Sequence, residues 1–149
     1  MMSKIVRTMS SFLILPVLIF GLYIIMHGHL TPGGGFQGGA VLASGVALLI
    51  VAFGSHSVHK SLRECYFPIL MSIGLLIFIS LAFGGMFRST FFHNFLVGSP
   101  IFGHIPLPGP NPGEMSGGAI PLMDIGVGLS VAGGLSAILL VMARRAKND

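Results

Sequence analysis

Four long apolar stretches, separated by short polar or glycine-rich segments, dominate the chain. They cover residues 8–26, 36–54, 65–87 and 120–143, and the one charged residue inside them is Asp124. A helix rises about 1.5 Å per residue, so about 20 apolar residues cross the hydrocarbon core of a bilayer. The pattern predicts an all-α integral membrane protein with four transmembrane helices. We expect one membrane domain over residues 1–149, with a long Pro- and Gly-rich outer loop over residues 88–119.

Composition supports a membrane location and excludes several functional classes. The chain is 53% hydrophobic and 8% charged, well outside the range of soluble domains. Its net charge of +4 comes from residues at the ends of the apolar stretches, which favours a membrane surface over nucleic acid. The single cysteine, Cys65, excludes an internal disulfide. No nucleophile, base and orienting residue stand together in a motif, so we do not expect a self-contained membrane enzyme.

The basic residues also predict the orientation of the helices. Cytoplasmic loops close to helix ends carry an excess of Lys and Arg. With the helices alternating in direction, Arg88 alone falls on the outer side, and both termini are predicted to be cytoplasmic in the cell membrane. The basic residues on the inner side are Lys4, Arg7, Lys60, Arg63, Arg144, Arg145 and Lys147.

Small residues cover two faces of the fourth predicted helix. Membrane helices associate through close packing of small residues, because lipid tails are as apolar as leucine. We expect these faces to meet other subunits; the alternative is that they pack the chain's own four helices together. The third predicted helix is bulky throughout and suits lipid. The small residues singled out on the fourth helix are Gly126, Gly128, Ala132, Gly133 and Gly134.

The segment between the first two helices, His27 to Gly39, reads HGHLTPGGGFQGG. Proline fixes its own backbone and glycine permits positive φ, so the segment predicts a tight turn back into the membrane. Its G-x-G-x-x-G spacing is not taken as a dinucleotide motif, since no strand precedes it. The residues assigned to the turn are Pro32, Gly33, Gly34, Gly35, Gly38 and Gly39.

This turn, the four-helix layout and the start of the last helix, Pro121 to Val127, resemble the MrpB/MnhB family of Mrp-type multisubunit Na⁺/H⁺ antiporters. The resemblance covers most of the chain. Related subunits occur in the antiporter-like membrane arms of archaeal membrane-bound hydrogenases and sulfur-reducing complexes. The resemblance implies a non-catalytic subunit that works with other membrane subunits, with Na⁺ and H⁺ as transported ions and no cofactor of its own. The alternative is a purely structural subunit in a redox-driven pump.

Asp124 is the first candidate for chemistry, because an intramembrane carboxylate is costly unless it faces protein or water. We expect it to exchange a proton for Na⁺, although an acidic residue near the start of a helix is also favoured by that helix's dipole. His27 and His29 are further candidates for the ion path, with interfacial hydrogen bonding preferred over a proton relay and a metal site last. Gln37 and Glu114 are the remaining candidates.

The outer loop carries two patterns. Residues 91–101 are too apolar for a soluble loop and too short to span, which predicts an interfacial or re-entrant piece. Prolines at positions 106, 108, 110 and 112 predict an extended backbone without internal hydrogen bonds. We expect this strap to lie across a partner subunit; a mobile surface loop is the alternative.

Overall fold

The computed structural model describes residues 3–30, 33–54, 57–58, 65–87, 90–96, 104–106 and 114–145. Its long helices are α1 (Lys4–Met26), α2 (Gly34–Phe53), α3 (Tyr66–Gly84) and α4 (Ile120–Arg145), and a 3₁₀ turn, Gly85–Phe87, continues α3. Each span is long and apolar enough to cross a membrane. The predicted fold class is therefore confirmed. The helix α1 begins four residues before the predicted boundary, with Ser3 accepting a hydrogen bond from the Val6 amide as its N-cap.

The helices form a row in the order α1, α2, α4, α3, and α1 also contacts α4, where Gly128 meets the Ile25 side chain. The helix α2 packs between α1 and α4, and α4 packs between α2 and α3, while α1 and α3 share no contacts among the described residues. The helices α2 and α4 run parallel, because Gly35 approaches Asp124 and Gly39 approaches Gly128. The helices α1 and α3 are antiparallel to them. We call the end with the 27–35 turn and the start of α4 the turn end, and the end with Lys4 and Arg145 the basic end.

Glycines bring α2 close to both of its neighbours. On one face, a Cβ placed on Gly38 would collide with the Ile25 side chain of α1, whose own exposure is 4%. On the next face, a Cβ on Gly39 would lie 2.7 Å from the Gly128 carbonyl oxygen of α4. Approaches this close leave no room for a side chain on either glycine, so the α2 backbone packs directly on α1 and α4.

The helix α4 approaches α3 in the same way on its opposite face. A Cβ on Gly74 would lie 2.5 Å from the Gly126 carbonyl oxygen, and one on Gly133 would lie 2.7 Å from the Phe67 carbonyl oxygen. The two small faces of α4 therefore pack against the chain's own helices, one against α2 and Ile25 of α1, the other against α3. The expectation that they meet other subunits is wrong, and the alternative stated with it holds: these residues join the four helices to one another. The bulky Leu75 and Leu76 of α3 are exposed, on the side away from α4.

Two short strands pair with each other between α3 and α4. The strands β1 (His104–Pro106) and β2 (Glu114–Ser116) pair antiparallel, with Ile105 opposite Met115 and Pro106 opposite Glu114. The prediction of an extended strap without internal hydrogen bonds is therefore wrong at its described ends, because the two ends form a ladder with each other. Pro108, Pro110 and Pro112 lie outside the described residues.

Candidate functional site

The site is built around Asp124, the fifth residue of α4, which is half-buried at the turn end. Its Oδ1 accepts a hydrogen bond from the backbone amide of Gly35, at 3.3 Å. Gly35 is the second residue of α2, and the first amides of a helix have no partner within that helix. Asp124 thus supplies a cap to a neighbouring helix. Its negative charge also lies at the positive end of the α2 dipole.

This arrangement differs from the alternative considered from the sequence. That alternative had the dipole of Asp124's own helix stabilise the carboxylate. The first turn of α4 contains no acidic residue, because Asp124 comes after it. The carboxylate instead meets the N-terminus of α2, through Gly35, which precedes Asp124 by 89 positions in the chain.

Three glycines surround the carboxylate, and we call Gly28, Gly34 and Gly35 the glycine cradle. A Cβ on Gly28 would lie 2.6 Å from Asp124 Oδ2, and one on Gly34 would lie 3.1 Å from Asp124 Oδ1. Gly34 also has a φ of +65°, a conformation that favours glycine. At Gly35 a Cβ would collide with the carbonyl oxygen of Asp124 itself. A side chain at Gly28 or Gly34 would displace the carboxylate, and one at Gly35 would displace the backbone of α4.

The two oxygens of the carboxylate have different environments. Oδ1 has the Gly35 amide, whereas Oδ2 faces Gly28 and accepts no hydrogen bond from the residues that the structure describes. An ionised carboxylate accepts hydrogen bonds on both oxygens. Oδ2 is therefore the atom that is left for water, a proton or a cation.

His27 and His29 flank Gly28 at the mouth of this site. His27 follows the last residue of α1, and its ring stacks on Tyr23 with centroids 4.2 Å apart. His29 is half-buried, and its Nδ1 is buried without a hydrogen-bond partner among the described residues. Within the same part of the chain, no three His, Cys, Asp or Glu side chains come together as a metal site would require.

The other predicted site residues separate into different places. Gln37 is exposed, and its Oε1 lies over Gly33, 2.7 Å from where a Cβ on that glycine would be. Glu114 pairs through its backbone with Pro106 in the two-stranded sheet, and its side chain is outside what is described. Pro32 also falls outside the described residues. Gly38 and Gly39, assigned to the turn from the sequence, lie inside α2 and pack its two faces.

One polar residue near the site was missed by sequence reasoning. Asn94 donates from Nδ2 to the Gly117 carbonyl oxygen at 2.9 Å, and its Oδ1 accepts from the Ala119 amide at 2.7 Å. Both partners directly precede α4. The available signal was a lone amide within the apolar run from Phe91 to Val97, where an unpaired polar group would be costly.

Comparison with known proteins decides the family. A family model described as "Domain related to MnhB subunit of Na+/H+ antiporter" matches residues 5–137. This chain belongs to the MnhB family. The match confirms the resemblance drawn from the turn and from the start of the last helix, and it contains every residue of the glycine cradle as well as Asp124.

Individual relatives agree with the MnhB assignment. "Putative antiporter subunit mnhB2" of Staphylococcus haemolyticus is 34% identical over 139 residues, covering 93% of each chain. The protein of the same name from Staphylococcus aureus strain Newman is 31% identical over 144 residues, again with 93% of each chain covered. An uncharacterized protein of Methanocaldococcus jannaschii is 37% identical over 128 residues, which are 83% of this chain but 45% of that longer protein.

Proposed function

We propose that this chain is a non-catalytic membrane subunit of a multisubunit Na⁺/H⁺ antiporter, and that Asp124 lies on the path of the transported ions. The family description and the names of the Staphylococcus relatives support the parent assembly. A path shared with other subunits fits the family description, which concerns one subunit of an antiporter. Partner subunits would have to close such a path.

The observation that carries the role of Asp124 is its half-satisfied carboxylate. Gly35 fixes Oδ1, while Oδ2 accepts no hydrogen bond from the described residues. Carboxylate oxygens suit hard cations such as Na⁺, and a carboxylate that binds Na⁺ also binds a proton in its place. The α2 N-terminus lowers the cost of holding the charged form at the edge of the membrane. In this proposal Oδ1 orients the carboxylate through Gly35, and Oδ2 binds the ion.

A structural role is the second candidate. The Asp124–Gly35 hydrogen bond joins α4 to α2, and hydrogen bonds to charged groups contribute about 1.5–3 kcal/mol. On this account the subunit is a scaffold and Asp124 holds two helices together. The parent assembly could then be an antiporter or the membrane arm of a redox-driven pump, and the masses of the co-purifying subunits distinguish these two.

We further propose that the basic end faces the cytoplasm, in the cell membrane. Lys4, Arg7, Arg144 and Arg145 all lie at this end of the row. Cytoplasmic ends of membrane helices carry such an excess of basic residues. The Asp124 site then opens towards the outer surface, where His27 and His29 flank it.

Two substitutions at Asp124 separate the ion-path and scaffold roles. Asp124→Asn keeps an oxygen that can accept from the Gly35 amide but removes the charge, whereas Asp124→Ala removes both. If Asp124 carries ions, both variants should lower the rate of Na⁺/H⁺ exchange per assembled complex in inverted vesicles by about tenfold or more. A tenfold change corresponds to about the free energy of one hydrogen bond to a charged group. Asp149→Asn is the matched control and should exchange ions at the parental rate. An Asp124→Asn variant that assembles and exchanges ions at the parental rate would contradict the ion-path role, and only the scaffold role would remain.

A further inference from the structure

Asn94 lies in a segment that folds back onto the end of α3. The Phe92 amide donates to the Ala82 carbonyl oxygen at 3.2 Å, and Phe92 adopts a positive φ of 62° to make this turn. A Cβ on Gly85 would lie 2.5 Å from the His93 amide nitrogen, so the segment rests directly on the α3 backbone. Asn94 therefore projects from a fixed base at the turn end.

From this base, the Asn94 side chain holds the residues just before α4. Its amide group pairs with the Gly117 carbonyl oxygen and the Ala119 amide at 2.9 Å and 2.7 Å, so both ends of the group are used. Between these partners, Gly118 has a φ of +58°, and the Asn94 side chain occupies the place that a Cβ would take. Ala119 is 1% exposed. We call Asn94 with Gly117, Gly118 and Ala119 the asparagine clamp.

The clamp is continuous with the helical turn that carries Asp124. The Met123 amide donates to the Ala119 carbonyl oxygen at 3.0 Å, which makes Ala119 part of the first helical turn. Asp124 is the next residue. Its hydrogen bond to the Gly35 amide joins α4 to α2 at 3.3 Å, so the position of the start of α4 determines whether this bond can form.

The clamp also lies, in sequence, between the strand β2 and α4. The strand β2 ends at Ser116, directly before Gly117. The Asn94 side chain, bonded to the residues just before α4, therefore fixes the position of the start of α4 along the helix axis.

We infer that Asn94 is a positioning residue for ion transport: it sets the start of α4 so that the Asp124 carboxylate meets the α2 N-terminus. This inference rests on the proposed role of Asp124. Asn94 itself does not touch the ion. Its loss should change how well Asp124 binds Na⁺ more than how fast the assembled complex turns over.

The experiment measures transport and position separately in the complete complex. Spin labels at Phe36→Cys and Ile120→Cys, in a Cys65→Ser chain with cysteines of the other subunits replaced, report the distance between the starts of α2 and α4. Both labelled positions are exposed, at 63% and 47%. Exchange is measured against Na⁺ concentration in chains without the labels. Asn94→Ala is the test variant, and Thr90→Ala, at an exposed position of the same segment, is the matched control.

We expect Asn94→Ala to broaden the distance distribution and to raise the half-saturating Na⁺ concentration by about tenfold, as the loss of two hydrogen bonds implies. The maximal rate per complex should be largely retained, and Thr90→Ala should match the parent in both measurements. If Asn94→Ala fails to assemble, Asn94→Asp keeps the acceptor for the Ala119 amide and should show a smaller change of the same kind.

The possible failures are distinct. An unchanged distance distribution in the Asn94 variant would overturn the inference, even if Asp124→Asn slows exchange. A broadened distribution with an unchanged half-saturating Na⁺ concentration would also overturn it, because position would not then control the ion. If Asp124→Asn exchanges ions at the parental rate, the proposed function itself is wrong, whatever the distance measurement gives.

Discussion

The carboxylate of Asp124 and the backbone amide of Gly35 meet across the interface between α4 and α2, with 3.3 Å between Oδ1 and the nitrogen. The two helices run parallel, so their N-termini lie side by side at the same end of the row. One side chain therefore does two things: it satisfies an amide at the start of α2, and it presents a second oxygen beside Gly28. The proposed function depends on this division between the two oxygens.

The glycine cradle should be sensitive to a single methyl group. A Cβ on Gly28 would lie 2.5 Å from the Gly34 Cα and 2.6 Å from Asp124 Oδ2, so Gly28→Ala must push the turn and the carboxylate apart. Overpacking of this kind costs about 1–3 kcal/mol. We expect a lower Na⁺/H⁺ exchange rate per assembled complex, measured in vesicles. Leu30→Ala, in the same turn but 45% exposed, is the control and should exchange ions normally. Equal rates in the two variants would show that the cradle does not hold the carboxylate.

Neighbouring glycines on α4 offer a matched test of the helix packing. A Cβ on Gly133 would lie 2.7 Å from backbone atoms of Phe67 and Met71, whereas one on Gly134 would meet only the Met71 sulfur, at an ordinary 3.5 Å. Gly133→Ala should therefore lower the thermal midpoint of the purified complex, by the same cost of about 1–3 kcal/mol. Gly134→Ala should leave it unchanged or slightly higher, since alanine favours a helix by up to about 1 kcal/mol. The midpoints can be compared by size-exclusion chromatography after heating, and a more damaging Gly134 variant would contradict the packing of α4 on α3.

The natural cysteine can report the orientation. Cys65 is exposed, is the one cysteine of the chain, and precedes α3 at the basic end. With that end in the cytoplasm, a membrane-impermeant maleimide should label Cys65 in inverted vesicles and not in intact cells. Leu30→Cys in a Cys65→Ser chain should show the reverse, because Leu30 lies at the turn end. Labelling of Cys65 from outside intact cells would reverse the proposed orientation.

Hydropathy was sufficient to predict the four helices, since length and apolar content decide whether a segment can cross a bilayer. Asp124 and the turn were also found from the sequence, because an intramembrane charge and consecutive glycines each have few explanations. The partners of these residues were not found. Spacing shows that Gly128 and Gly133 lie on different faces of α4, but it does not show that Ile25 of α1 and the backbone of α3 meet those two glycines.

Non-local pairing explains the other differences. The prolines of the loop correctly predicted an extended backbone at Pro106, but they did not predict its pairing with Glu114, eight positions further along the chain. Asn94 has the same property, because its two hydrogen bonds reach 23 and 25 residues along the chain. No periodic pattern marks a contact of that length. In the sequence, Asn94 was distinguished only by its position in an apolar run.

The most direct test of the account is whether Na⁺ reaches the Asp124 carboxylate in the assembled complex. A hydrophobic carbodiimide reacts with protonated carboxyl groups in membranes, and mass spectrometry of the α4 peptide measures the adduct on Asp124. We expect an adduct that decreases as Na⁺ is raised and is unaffected by the same concentration of choline, because a bound cation replaces the proton that the reaction needs. An Asp124 that stays unmodified, or that is modified equally in both salts, would contradict the claim that its free oxygen lies on the ion path.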